Sequence, residues 1–134
     1  MKALFILLSV LSGALACAHD EGHGPKLTDV GKYGGVVSPV VATKEASLGT
    51  KAKLVYKAEL VRTEDAGVKL YLYDKDMNQL DVSRFTKSAK GVVEIIKKKK
   101  TTKTPFELSL VDGAFTGSYP KPSSRPFNID VTVK

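Results

Sequence analysis

The sequence predicts an all-β protein: a small antiparallel β-sandwich, either immunoglobulin-like or a partly closed barrel, with about six to eight short strands. Apolar and polar residues alternate with a period of two along most of the chain, which places one set on a buried face and the other in solvent. The gaps between these runs are rich in Gly, Asp, Asn and Pro, the residues of turns. No window longer than about ten residues has a helical period.

The strands are predicted from the alternating runs. Four runs are clearest, and they span residues 54–60, 68–72, 106–110 and 127–133. Two weaker candidates cover residues 36–42 and 91–98. The first of these contains Pro39, which cannot donate a hydrogen bond to a neighbouring strand and therefore favours the edge of a sheet.

Three turns are predicted between these strands. Residues 64–67 and 112–113 have the composition of hairpin connections. Residues 74–78 form a third turn, which leads into residues 79–85. These turns join successive strands closely, as antiparallel sheets require.

The first eighteen residues have the anatomy of a cleavable secretory signal, called the leader below. Lys2 precedes an apolar run of roughly ten residues, against the ~20 that a membrane-spanning helix needs. The chain therefore divides into a signal peptide (1–18), a flexible tail containing His and Gly (19–35) and a β-domain (36–134). We expect it in the periplasm or outside the cell, with no transmembrane helix in the mature protein.

The end of the leader has three possible positions. Small residues permit a cut after Ala16 or after Ala18, and Cys17 is a candidate for lipidation, which would make the protein a membrane-attached lipoprotein. The cut after Ala18 is favoured, because the residue three places before Cys17 is Ala14 rather than the leucine usual in lipoproteins. That cut removes the only cysteine, and with it any disulfide or thiolate metal site.

Charge and residue types exclude several function classes. The formal net charge is +7, and it becomes +6 without Lys2, the only charged residue before position 19. An exported protein of this charge without a basic-aromatic motif is not expected to bind nucleic acid. The β-domain has no histidine and no cysteine, so it lacks the common general base and two common nucleophiles. We predict that it is not an enzyme.

The tail contains the candidate metal ligands. His19, Asp20, Glu21 and His23 bring two imidazoles and two carboxylates into five residues. Such nitrogen and oxygen donors suit Cu(II), Ni(II) or Zn(II). A cut after Ala18 adds the α-amine of His19, a cut after Ala16 gives a Cys-Ala-His start, and lipidation blocks the amine. The alternative is a linker that contains histidine without binding metal.

Two other motifs have a functional and a structural interpretation. Asp74, Asp76 and Asn78 occupy the first three ligand positions of an EF-hand loop, but Gln79 stands where glycine is needed and Phe85 where glutamate is needed. A β-turn explains them better. The lysine run, Lys97–Lys100 with nearby Lys103, is either a contact for an anionic envelope partner or a solvated strand end that prevents edge pairing.

The order of features resembles small exported bacterial proteins associated with heavy-metal efflux, and the periplasmic start of some efflux adaptor subunits. The matching stretches are residues 19–24 (HDEGHG), 33–37 (YGGVV), 58–61 (AELV) and 69–82 (KLYLYDKDMNQLDV).

The resemblance implies a periplasmic β-domain with a metal-linked tail and an envelope or efflux protein as partner. Relatives often have histidine just before the ELV segment, where this chain has Lys57. A lysine is not expected to ligate metal at neutral pH. We therefore expect a non-enzymatic accessory that binds copper or zinc through its tail, or alternatively an envelope interaction module without metal.

Overall fold

The computed structural model describes residues 4–8, 29–123 and 127–133. Every strand pair in it is antiparallel. The strands are β1 (Leu4–Leu8), β2 (Val36–Ala42), β3 (Leu54–Arg62), β4 (Gly67–Tyr73), β5 (Ser88–Lys97), β6 (Lys100–Val111), β7 (Ala114–Ser118) and β8 (Asn128–Val133). Two 3₁₀ segments, Thr43–Lys51 and Val82–Arg84, join them.

Strands β2 to β8 form one curled sheet, a half-barrel in the order β2-β3-β4-β7-β6-β5-β8. β1 pairs with both edges of this sheet, β2 and β8, and closes the barrel. The predicted all-β antiparallel fold is confirmed, in its barrel-like form. Among the described residues, no helix is long and apolar enough to cross a membrane.

The core lies inside the curl. The four clearest alternating runs coincide with β3, β4, β6 and β8, and their apolar positions point inward. The core residues from these strands are Ala58, Leu60, Val68, Leu70, Leu72, Phe106, Leu108, Ile129, Val131 and Val133. Burial of these side chains is the main force that holds the sheet in its curled shape.

The predicted hairpins are confirmed, and the lysine run forms another. Thr63 N–H donates to the Gly67 carbonyl (2.9 Å) in the β3–β4 connection. The β6–β7 turn has positive φ at Asp112 (49°) and Gly113 (80°), as a type I′ turn requires. Lys97 pairs with Lys100, so the middle of the lysine run is the turn between β5 and β6.

Strand β2 pairs with both β1 and β3, so it is not an edge of the closed barrel, but Pro39 itself lies where β2 pairs on one side only. β2 is an edge of the seven-stranded sheet, and Pro39 lies opposite Lys57 of β3. β1 pairs with β2 only beyond the proline, at Val40–Ala42. The missing proline N–H therefore removes no donor from the β1 pairs.

Candidate functional site

The residues predicted to bind metal are His19, Asp20, Glu21 and His23. All four lie outside the described residues, as does Cys17. Within the described ranges, no group of three or more His, Cys, Asp or Glu side chains is arranged to hold a metal ion. The tail site remains a prediction from sequence.

The described chain resumes at Asp29, and residues 32–35 lie against β3. The Glu59 carboxylate accepts four hydrogen bonds there. Its donors are Lys32 N–H (2.9 Å), Tyr33 N–H (2.9 Å), Gly35 N–H (2.7 Å) and the Tyr73 hydroxyl (2.6 Å). We call this arrangement the Glu59 anchor. It holds the end of the predicted tail, so that specific contacts with the sheet begin before β2.

Glu59 lies on the outer face of β3, between the core residues Ala58 and Leu60, yet it is fully buried. Burial of a carboxylate is strongly unfavourable unless hydrogen bonds replace its water. The covering segment comes close because it contains glycine: a Cβ added at Gly35 would lie 2.4 Å from the Leu60 carbonyl oxygen. Three backbone N–H groups can therefore reach one side chain.

An ion pair lies beside the anchor. Lys57 Nζ is 2.6 Å from Asp29 Oδ2, and the two side chains are 6% and 13% exposed. Lys57 thus binds the tail through charge. This ion pair attaches the segment to β3 at Lys57, two residues before Glu59.

Aromatic contacts complete the attachment. Tyr33 stacks on Tyr71 with ring centroids 4.0 Å apart, and its hydroxyl donates to Gln79 Oε1 (3.0 Å). Burial, followed by the hydrogen bond to Glu59, raises the pKa of Tyr73 far above its usual range. The Tyr73 phenol therefore remains a proton donor to Glu59 at any physiological pH.

The Asp74 turn is closed by its own residues. The Asp74 carboxylate accepts hydrogen bonds from Asp76 N–H and from the backbone and side-chain amides of Asn78, all at 2.9 Å. These bonds, the Asn78 backbone first, lower the pKa of Asp74. This geometry agrees with the β-turn interpretation of the motif.

A second carboxylate, that of Asp130, is partly buried with one oxygen that lacks a hydrogen bond in the described residues. Asp130 lies on the outer face of β8, and burial, followed by the charge of Glu94, raises its pKa to about 6. Its Oδ1 atom is buried without a hydrogen-bond partner in the described part of the chain. Asp130 also pairs in register with Leu7 of β1.

The lysine run is exposed at the end of the β5–β6 hairpin. Lys97–Lys100 and Lys103 are all exposed, and Lys98 has a positive φ of 53°. Ile96, just before the turn, is 54% exposed. The structure thus gathers five positive charges and one apolar side chain on a two-stranded projection.

Comparison with protein-family models, curated proteins and solved structures finds no match to this chain.

The Glu59 anchor is the feature that sequence reasoning missed. A signal for it was present: an acidic residue in the apolar AELV stretch, and a YGG segment upstream that could approach a neighbouring strand. What connects the two is visible only in three dimensions.

Proposed function

We propose that this protein is an exported, non-enzymatic accessory that binds a divalent metal, Cu(II) or Zn(II), through its tail. His19 and His23 are the nitrogen ligands, with Asp20, Glu21 and the α-amine of the mature chain in support. The observation that carries this proposal is the presence of four donor side chains within five residues. A role beside envelope metal-efflux proteins is the context that the resemblance suggests.

The Glu59 anchor supports this function in a physical way. A free tail loses conformational entropy when it closes around a metal. Because the chain is attached to β3 from Asp29 onward, His23 can lie at most about 20 Å from Asp29. The barrel would therefore present the metal near the outer face of β3.

Calorimetric titration of the exported protein with Cu(II) and with Zn(II) tests the proposal. We expect one bound metal, and loss of at least about tenfold in affinity in the H19A/H23A double variant. The matched control is K26A/T28A, which changes two residues of the same tail but no proposed ligand. Unchanged affinity in H19A/H23A would refute the tail site. Intact mass of the same sample shows which donors the mature N-terminus supplies.

The second candidate function is an envelope interaction module without metal, and the exposed lysine hairpin favours it. Five lysines on one projection would attract an anionic surface, most strongly at low salt. Lipidation at Cys17 would add a membrane attachment.

Co-sedimentation with phosphatidylglycerol vesicles tests this second function. We expect binding that falls with salt and is lost when Lys97–Lys100 are changed to serine. A control variant removes equal charge from exposed lysines elsewhere: Lys44, Lys53, Lys69 and Lys90. Equal binding by the two variants would mean that only net charge matters.

A further inference from the structure

The strand that closes the barrel belongs to the segment that the sequence predicts to be cut off. β1 pairs with β8 over five residues, from Leu4↔Val133 to Leu8↔Ile129. It pairs with β2 over three, from Leu4↔Ala42 to Ile6↔Val40. Removal of residues 1–18 takes this strand away and leaves the edges of β2 and β8 facing each other across the width of one strand. We call this position the seam.

The seam is bordered by apolar side chains and by backbone hydrogen-bonding groups. Ile129, Val131 and Val133 of β8 and Val40 of β2 are all 0% exposed while β1 is in place. Without β1, they border an open groove, and backbone N–H and C=O groups of both edges lose their partners. Unpaired edges of this kind recruit another strand.

The strand seated there shows what the seam accepts. Leu4, Ile6 and Leu8 take the register positions opposite the three buried β8 residues. Residues on one face of a strand recur every second position. An occupant therefore needs about five extended residues, apolar at the first, third and fifth, and it runs antiparallel to both β2 and β8.

We propose that the exported protein binds, in this seam, one extended apolar segment of another polypeptide by β-strand addition. The chain's own residues 19–28 do not fit the pattern, because they include Gly22, Gly24 and Pro25 and no alternating apolar residues. A second copy brings further sheet edges rather than a single free strand. The proposal shares with the metal function only the removal of the leader, and it stands without the metal.

A binding experiment with a peptide tests the seam directly. The probe is a fluorescent peptide with the sequence of residues 3–9, ALFILLS, extended by two lysines for solubility. The protein is the exported chain, shown by intact mass to lack residues 1–18 and by circular dichroism to be folded. We expect saturable binding of one peptide by fluorescence anisotropy. Hydrogen exchange of Val40–Ala42 and Ile129–Val133 should slow when the peptide is added.

Two controls make the result specific, and neither substitutes a residue of the β-domain. A peptide with Ile6→Pro keeps its apolar character but cannot pair, and should bind about tenfold more weakly or worse. The uncleaved chain, in which β1 fills the seam, should bind the original peptide about tenfold more weakly as well.

Several outcomes would overturn the proposal. They are equal binding of both peptides, equal binding by cleaved and uncleaved chains, and an exported chain that retains its leader. The proposal would also be overturned if the protein sediments as a dimer and its β8 amides exchange slowly in the absence of peptide. A second copy would then fill the seam. An exported chain that is unfolded with and without peptide also contradicts it. Apart from a retained leader, which would also remove the α-amine of His19 as a donor, none of these results bears on the metal titration, so the two proposals can fail separately.

Discussion

Glu59 places a carboxylate on a strand whose neighbouring side chains are apolar. Residues 32–35 fold back and donate hydrogen bonds to it. A hydrogen bond to a charged group contributes more than one between neutral groups, about 1.5–3 kcal/mol. Four such donors converge on Glu59, three of them from the backbone. Residues 32–35 are thus attached to β3 by one side chain.

The first prediction concerns this side chain. Glu59→Gln replaces one acceptor oxygen with an NH₂ group that faces donors, so we expect the free energy of unfolding to fall by about 2–3 kcal/mol. Urea denaturation measures it. Glu107→Gln makes the same change at an exposed position of β6 and should stay within about 0.5 kcal/mol of the parent. Similar losses in the two variants would show that the anchor contributes little.

The second prediction concerns Asp130 and pH, in the chain that retains β1. Folding raises the pKa of Asp130 from 3.8 to about 6, so the folded protein keeps a proton that the unfolded chain releases. Protonated Asp130 therefore contributes its full stabilisation to the fold below about pH 4, and this contribution is lost as the pH rises through 6. Asp130→Asn should therefore be more stable than the parent at pH 7.5 by about 1 kcal/mol, a value discounted for solvent screening.

Thermal unfolding at pH 4 and pH 7.5 checks this second prediction. The gain from Asp130→Asn should be much smaller at pH 4, where the folded protein holds the Asp130 proton and the unfolded chain, with a pKa of 3.8, still holds part of it. Asp65→Asn, at an exposed turn position, is the control for the loss of one negative charge. A gain that is equal at both pH values would point to packing rather than titration.

The start of β2 depends on close contact with β3. An alanine Cβ at Gly35 would lie 2.4 Å from the Leu60 carbonyl oxygen, which is backbone and cannot rotate away. Gly35→Ala should therefore displace the start of β2 and destabilise the fold by about 2–4 kcal/mol. Gly113→Ala meets no atom within 4 Å, but it has a φ of 80° and should cost only about 1 kcal/mol. Urea denaturation of both variants checks the order, and a larger loss at Gly113 would contradict it.

Strand pairing explains which elements could be predicted from sequence. β3, β4, β6 and β8 were predicted because each buries one face, which imposes a period of two. β7 was missed because Ala114–Ser118 is short and has only two buried apolar residues in succession. β1 was missed because an unbroken apolar run has no alternation, and its composition indicates a leader.

The candidate site was predictable to a smaller degree. Tail donors are contiguous, so their clustering is visible in the sequence. Glu59 acts through backbone N–H groups of residues more than twenty positions away, and backbone donors leave no trace in residue type. The lysine hairpin lies between these cases: its charge was evident, but its place at a turn depends on the pairing of β5 with β6.

At the scale of the whole molecule, we expect the proposed leader to change the stability of the barrel. The uncleaved chain pairs β1 with two strands and covers buried residues of both, so we expect it to unfold with a free energy roughly 3 kcal/mol higher than that of the chain starting at His19. Its urea m-value should also be larger, because more surface is exposed on unfolding. Equal stabilities and m-values would mean that β1 contributes nothing to the fold in solution.

The β1–β8 pairing also makes the fate of the leader a matter of timing. Leu4 pairs with Val133, so this contact joins residues more than a hundred positions apart in the chain. Contacts between such distant parts of a chain form slowly, after the local hairpins. Under the proposed export, a peptidase that acts before β8 emerges from the export channel therefore never meets a closed barrel. One that acts later has to remove a strand already paired on both sides, so late cleavage should be slow.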